Sequence, residues 1–395
     1  MSRPFTAREH RQDADLMHRE SQPNLRGLHR AEARARPRLP WIDTVRVAVT
    51  ILVIAHHCAV TYGNIPVWFY NEPPQDSSAY ALDVLVVLNQ TWFMGLFFLI
   101  SGYFVPASVD RHGPRVFARD RLIRLGLPLL GFVLIVRPLA NFHSWLLDSD
   151  RPPYALHYLR TIDAGPAWFL EVLLALSLTY AAYRAARGTP WPGRDTASEL
   201  RPGIAVGQLL ALMAVMAATG AVWRLIVPDG THWPVVGLPT PSFLPQYALM
   251  FAAGALASRH RWLERVPASV AAMSAVLSAL TLAVLAPGMM SPDPRTSAIV
   301  AGVLTAALGP GLSVVVLVLV RRLAPGTGPI RRLLTANAFT VYVIHPAILV
   351  GLALMLRDVT APAIAKFGVL LLLAVPACWL LAATVRTIPG VKKIM

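Results

Sequence analysis

Ten long apolar segments, separated by shorter polar stretches, constrain the fold of this 395-residue chain more than any other feature. Each is about long enough, as a helix, to cross the ~30 Å hydrocarbon core of a bilayer. Backbone groups in hydrocarbon must satisfy their own hydrogen bonds, which favours helices and excludes open sheets. We therefore predict an all-α fold, a polytopic membrane bundle of about ten transmembrane helices. The predicted segments are 42–62, 80–104, 122–142, 167–183, 203–227, 242–257, 267–287, 297–320, 336–356 and 362–385.

The composition excludes an ordinary soluble protein. The chain is 55% hydrophobic and only 14% charged, whereas soluble domains are about 45–50% apolar and about 25% charged. Its net charge of +15 comes from basic residues distributed between the apolar segments, so nucleic acid is not an expected partner. Cys58 and Cys378 both lie in apolar segments, and no group of residues has metal-ligand spacing. Neither a disulfide framework nor a metal or other cofactor is therefore expected.

The basic residues predict an orientation and a domain organisation. Of the 36 Lys and Arg, 28 fall in the regions that a ten-helix arrangement places on one side of the membrane. Basic loops stay in the cytoplasm, so both termini are expected there, in a multi-pass protein of the cell membrane. Residues 1–40 contain nine arginines and no apolar run, which predicts a disordered basic cytoplasmic tail. Residues 41–385 form the predicted transmembrane domain, and 386–395 a short cytoplasmic tail.

Arg46 and His57 lie in the first apolar segment and are the leading candidates for chemistry. Their spacing of eleven residues places both side chains within about 20° on one face of a helix. Ionisable groups inside a membrane are costly and usually functional. Asp43, three residues before Arg46, could form an ion pair with it. The alternative is a hydrogen-bonding histidine with an arginine that reaches the interface. His56 points about 100° away, which favours a structural role.

The second and third segments supply candidates for donor binding. Ser101 and Gly102 form a small surface that a ligand or another helix could approach closely. Arg121 and Arg124 share one helix face at the predicted cytoplasmic surface, where two guanidinium groups could hold phosphates. The bias towards basic cytoplasmic residues also accounts for arginines at this position.

Later segments add further intramembrane polar residues. Glu171 lies one turn from Trp168, where it could pair with a buried cation or remain solvated near the helix end. His345 follows Tyr342 and precedes a proline that interrupts the backbone hydrogen bonds. A histidine at such a position could satisfy the carbonyl group that the proline leaves without a donor.

In chain order, these residues resemble the acyltransferase 3 family of bacterial integral-membrane acyltransferases. The family motifs fall on Arg46 and His57 (Arg-x10-His), Phe97 to Gly102 (Phe-Phe-x-x-Ser-Gly), Arg121 to Pro128 (Arg-x-x-Arg-Leu-x-x-Pro), Trp168 to Leu170 (Trp-Phe-Leu), and Tyr342 and His345. The last pair has Tyr-x-x-His spacing instead of Tyr-x-x-x-His. The long first outer loop and the Ser-Gly-Tyr-Phe segment resemble the glucan biosynthesis protein C-like branch.

The resemblance implies transfer of an acyl group from cytosolic acyl-CoA to a hydroxyl of a carbohydrate or related acceptor. His57 would be the general base, and Arg46 would orient the donor or stabilise negative charge on the thioester oxygen. The implied donor site comprises Arg121, Arg124, Ser101 and Gly102, with Asp43, Trp168, Glu171, Tyr342 and His345 as possible accessory residues. Acyl-CoA is then a co-substrate, and the partners are the glycan acceptor and the lipid bilayer.

A secondary transporter of a small polar or anionic solute is the main alternative function, and a non-enzymatic glycan-binding or sensor protein is a second one. Transporters also use intramembrane His, Arg and Glu residues. Their two halves often contain paired helices interrupted by Gly or Pro, and this sequence shows no such symmetry.

Overall fold

Each of the ten predicted segments is occupied by a helix. The computed structural model describes residues 39–188, 206–233, 237–323 and 328–395, so the predicted basic tail lies outside the described residues apart from its last two. The long helices are α1 (Pro40–Tyr62), α2 (Ala79–His112), α3 (Pro114–Leu146), α4 (Trp168–Arg187), α5 (Val206–Ile226), α6 (Leu244–His260), α7 (Ala268–Leu285), α8 (Pro294–Leu323), α9 (Pro329–Met355) and α10 (Ala363–Val385).

Nine helices in the described part of the chain are long and apolar enough to cross a membrane. The protein is therefore a multi-pass, all-α membrane protein. The tenth long helix, α6, is shorter than these nine. It has 17 residues, or a length of about 25 Å at 1.5 Å per residue. The side of the membrane on which the termini lie remains a prediction.

Helices α2 and α6 pack with their backbones in direct contact. A Cβ atom added to Gly102 would lie 2.1 Å from the carbonyl oxygen of Phe251, and one added to Gly254 would lie 2.0 Å from that of Leu99. Only glycine fits at either position, as in other close helix pairs of membrane proteins. Gly102 is thus buried between helices, and helix packing explains its small side chain.

Helix α3 contains two π-helical turns, Leu122–Gly126 and Phe132–Val136. Each ends two residues before a proline, at Pro128 and Pro138. Proline lacks the N–H group that would bond the carbonyl four residues earlier, and the wider turns accommodate this loss. Helix α3 therefore stays continuous while carrying arginines towards both ends of the bundle.

The bundle has two ends, named here the arginine end and the cavity end. The arginine end is where α1 begins at Pro40 and α3 begins at Pro114. The cavity end is where α1 ends at Tyr62 and α2 begins at Ala79. The segments that precede α2, α4 and α6 all lie at the cavity end.

Candidate active site

A cavity of about 780 Å³ opens at the cavity end of the bundle. Its volume is within the range of ~300–1,000 Å³ that is usual for small-molecule sites. Aromatic and polar side chains from several helices and loops line it, among them His57, Trp68, Arg137, Asp163, Asp229 and Tyr342.

His57 and His345 meet beside this cavity. His57 lies in the last two turns of α1, and His345 lies in the middle of α9 and is fully buried. The Nδ1 atom of His57 lies 3.1 Å from Nε2 of His345. The two rings are 5.0 Å apart between centroids and 24° from parallel. The sequence singled out both histidines but did not predict that they touch.

Pro346 fixes the protonation pattern of this histidine pair. Proline has no N–H, so the carbonyl of Tyr342, four residues earlier, lacks its helical donor. Nδ1 of His345 lies 2.7 Å from this carbonyl oxygen, and a carbonyl can only accept. In the neutral pair, His345 therefore carries its proton on Nδ1, and its Nε2 accepts from Nδ1–H of His57. Nε2 of His57 then retains its lone pair, as a general base requires.

Arg46 lies towards the arginine end of α1, away from His57. The eleven-residue spacing separates their Cα atoms by about 16 Å along the helix. The expected ion pair with Asp43 is present, at 3.3 Å. The Arg46 guanidinium also lies over the ring of Phe104, 5.1 Å from its centroid. Arg46 and His57 thus have different immediate surroundings.

Three arginines from two helices lie near one another at the arginine end. Arg121 lies within electrostatic range of Arg46 and of Arg124, and we call these three residues the arginine cluster. Arg121 and Arg46 are half-buried, and Arg124 is exposed. Arg121 and Arg124 form no ion pair within the described residues. Three neighbouring guanidinium groups make this region a potential site for anions.

The other candidates have separate positions. Trp168 lines the cavity and stacks on Tyr247, with 5.0 Å between ring centroids. The hydroxyl of Tyr342 donates to the carbonyl of Pro166. Ser101 is half-buried next to the α2–α6 contact. Glu171 has no cationic partner in the part of the chain that the structure describes, and its Oε2 is buried without a hydrogen-bond partner.

Buried ion pairs around the cavity were not assigned from the sequence. Arg137 of α3 bonds Asp163 at 3.0 Å, with only 3% of the Arg137 side chain exposed. Arg224 of α5, 2% exposed, bonds Asp229 at 3.2 Å. An arginine inside an apolar segment is a signal for such a site. The aspartates lie in loops, where no periodicity indicates a partner.

A family model described as an acyltransferase domain matches residues 39–383, which is most of the chain. The chain belongs to the acyltransferase 3 family. It is accordingly a membrane acyltransferase that transfers groups other than aminoacyl groups. A comparison with curated proteins found no match. Family membership favours acyl transfer over solute transport for the intramembrane His, Arg and Glu residues.

Proposed function

We propose that this acyltransferase moves an acyl group from acyl-CoA to a hydroxyl of a carbohydrate or related acceptor bound in the cavity. His57 is the general base. The contact between Nδ1 of His57 and Nε2 of His345, at 3.1 Å, is the observation that carries the proposal. It leaves Nε2 of His57 able to accept a proton at the edge of a cavity large enough for the acceptor.

In the proposed reaction, His57 both removes the proton of the acceptor hydroxyl and returns it to the leaving thiol. Nε2 of His57 takes the hydroxyl proton while the hydroxyl oxygen attacks the carbonyl carbon of the thioester. The tetrahedral intermediate collapses as the C–S bond breaks, and the CoA sulfur leaves with the proton from Nε2. Throughout, Nδ1–H of His57 continues to donate to His345. His345 thus orients the base in the way that the third group of a catalytic triad does.

The lining of the cavity suits an acceptor rich in hydroxyl groups. Arg137 and Asp163 provide a fixed donor and acceptor in one wall. Trp68 and Trp168 add aromatic surface. Such a mixture of apolar surface with a few oriented polar groups is typical of small-molecule sites.

The arginine cluster is the proposed site for the phosphates of the donor. Arginine forms paired hydrogen bonds to phosphate oxygens, and three neighbouring guanidinium groups offset the charge of several phosphates. Arg46 belongs to this cluster, which supports a role in orienting the donor over one in stabilising negative charge on the thioester oxygen. A donor bound there must extend its acyl arm about 16 Å along α1 to reach His57. Ser101 remains a proposed contact of this arm.

The decisive experiment uses purified protein in liposomes. Labelled acetyl-CoA or succinyl-CoA is supplied with a panel of glycans, and the acylated product is identified by mass spectrometry. We expect ester formation with the wild type and with His56→Ala, and loss of it with His57→Ala. Solute counterflow without any covalent product would instead identify a transporter.

A further inference from the structure

Trp68 covers one face of the His57 ring. Their ring centroids are 4.0 Å apart and their planes are 18° from parallel. The indole Nε1–H of Trp68 is buried and has no hydrogen-bond partner among the described residues. The indole also contacts the tilted ring of Phe69, 5.2 Å away between centroids.

Residues 63–78, here called the strap, carry Trp68 from the end of α1 to the start of α2. The strap is tied back to the last turn of α1 at two points. The backbone N–H of Glu72 donates to the carbonyl of Thr61 at 2.9 Å. Nδ2 of Asn71 donates to the carbonyl of Val60 at 2.8 Å. The strap thus closes over the helix turn that bears His57.

An ion pair also connects the strap to α10. Lys366, with 4% of its side chain exposed, donates to Glu72. Two further bonds join the strap to the first turn of α10: the N–H of Ala363 donates to Asp76 at 2.8 Å and the N–H of Ile364 to Ser78 at 3.0 Å. These bonds satisfy N–H groups that a helix start leaves without partners. A partly exposed loop is thereby bonded to two helices.

We propose that Trp68 is a positioning residue that holds the His57 ring in its reactive orientation, and that the Glu72–Lys366 ion pair holds Trp68 in place. This inference rests on the proposed function, in which His57 is the base. His345 contacts one edge of the imidazole through a hydrogen bond. Rotation about the bond between the ring and Cβ is soft, and a contact on the ring face restricts it. Trp68 supplies that contact and keeps bulk water from the same face.

Kinetics on full-length protein in liposomes test the proposal. Because small misplacements of a catalytic group can cost about 100-fold in rate, we expect Trp68→Ala to lower kcat by about that order and to leave the donor KM unchanged. Trp68→Phe keeps an aromatic face and should restore much of kcat. Glu72→Gln and Lys366→Met should each lower kcat, and the double exchange Glu72→Lys with Lys366→Glu should recover part of it.

The matched control is the ion pair Arg357–Asp358 at the same end of the bundle. Its side chains are 56% and 95% exposed, so Asp358→Asn should leave kcat unchanged. Wild-type kcat in Trp68→Ala, or an Asp358→Asn loss as large as that of Glu72→Gln, would overturn the proposal.

A second measurement does not depend on turnover. Diethylpyrocarbonate modifies accessible histidines, and peptide mass spectrometry reports the rate at His57. We expect faster modification of His57 in Trp68→Ala and in Lys366→Met than in the wild type, and no change in Asp358→Asn. Unchanged labelling of His57 in both variants would contradict the proposal that Trp68 covers the His57 ring. If no variant and no wild-type sample transfers acyl groups, the proposed function fails, while the labelling still decides whether Trp68 covers His57.

Discussion

The cavity and the arginine cluster differ in how their cations are paired. At the cavity end, Arg137, Arg224 and Lys366 are buried, and each is bonded to a carboxylate. In the arginine cluster, Arg46 is bonded to Asp43, whereas Arg121 and Arg124 form no ion pair within the described residues, and Arg121 lies near both other arginines. Paired charges hold a shape, whereas unpaired charges of one sign remain available for an anion. This difference supports the proposed acceptor site in the cavity and the proposed phosphate-binding site at the arginine cluster.

Cysteine labelling should show the largest difference between the two ends of the bundle, since they are expected to lie on opposite sides of the membrane. In a background without Cys58 and Cys378, an impermeant maleimide applied to intact cells should modify Gln75→Cys but not Arg111→Cys. Both wild-type residues are exposed. Lysed cells should label both variants. Labelling of Arg111→Cys alone in intact cells would reverse the orientation.

Removing the base should abolish most of the turnover. General-base catalysis contributes about 10²–10⁴-fold, so we expect His57→Ala to lower kcat by that order. His56→Ala is the comparison: its ring packs on Phe93, 5.1 Å between centroids, and most activity should remain. Steady-state kinetics with saturating donor provide the measurement. Equal tolerance of both substitutions would show that the imidazole of His57 is structural.

Changing Pro346 tests the protonation pattern. Pro346→Ala supplies a backbone N–H for the carbonyl of Tyr342, which then competes with Nδ1–H of His345. We expect kcat to fall by about tenfold to 100-fold, because His57 loses its oriented partner, with the donor KM unchanged. Pro376→Ala, at a proline inside α10, is the control and should keep its kcat. A wild-type kcat in Pro346→Ala would show that Pro346 does not affect catalysis.

The arginine cluster should affect the donor alone. Hydrogen bonds to charged groups contribute about 1.5–3 kcal/mol each, so replacing Arg121 and Arg124 by Ala should raise the acyl-CoA KM by about tenfold or more. Lys at both positions should rescue only partly, since lysine cannot form the paired bonds. The control is the double Ala variant of Arg115 and Arg119, which are exposed on the same helix. Equal KM values for the two double variants would place the donor elsewhere.

The smallest effect is expected from Asp76. Hydrogen bonds from Ser78 and from the N–H of Ala363 lower the pKa of its carboxyl group below the ordinary value. The charged form therefore stabilises the fold above about pH 4, the pKa of an unfolded Asp, and this contribution is lost as the pH falls through the lower folded value. Asp76→Asn should slightly lower Tm at pH 7 and converge with the wild type in stronger acid. A constant difference in Tm at every pH would contradict this assignment.

The sequence predicted the helices and the local ion pair because both depend on short spacing. Apolar length located all ten helices, and a separation of three residues was enough to pair Asp43 with Arg46. The contact between His57 and His345 joins residues 288 positions apart in the sequence. Helical periodicity cannot indicate a contact between residues so far apart. The sequence did predict that a histidine before Pro346 could bond the carbonyl of Tyr342. It could not show that the same ring also reaches α1.

The loops were the least predictable part of the candidate site. Trp68, Asp163 and Asp229 lie between helices, where neither hydrophobic periodicity nor spacing indicates which side chain turns inwards. Arg137 and Arg224 were visible as cations within apolar segments, but their partners were not. The boundary of α6 was also displaced, from 242–257 to Leu244–His260, because a short helical turn, Pro241–Phe243, precedes it.

The short length of α6 affects what forms the wall of the cavity. A helix of about 25 Å falls roughly 5 Å short of the hydrocarbon thickness, and Thr240, Ser242 and Phe243, just before its start, line the cavity. Non-helical backbone is tolerated at such depth where it lines a water-filled cavity. An acceptor bound in this cavity, as proposed, would then meet water below the level of the surrounding lipid surface. The apolar layer between it and the proposed donor site would be thinner there than the full hydrocarbon core.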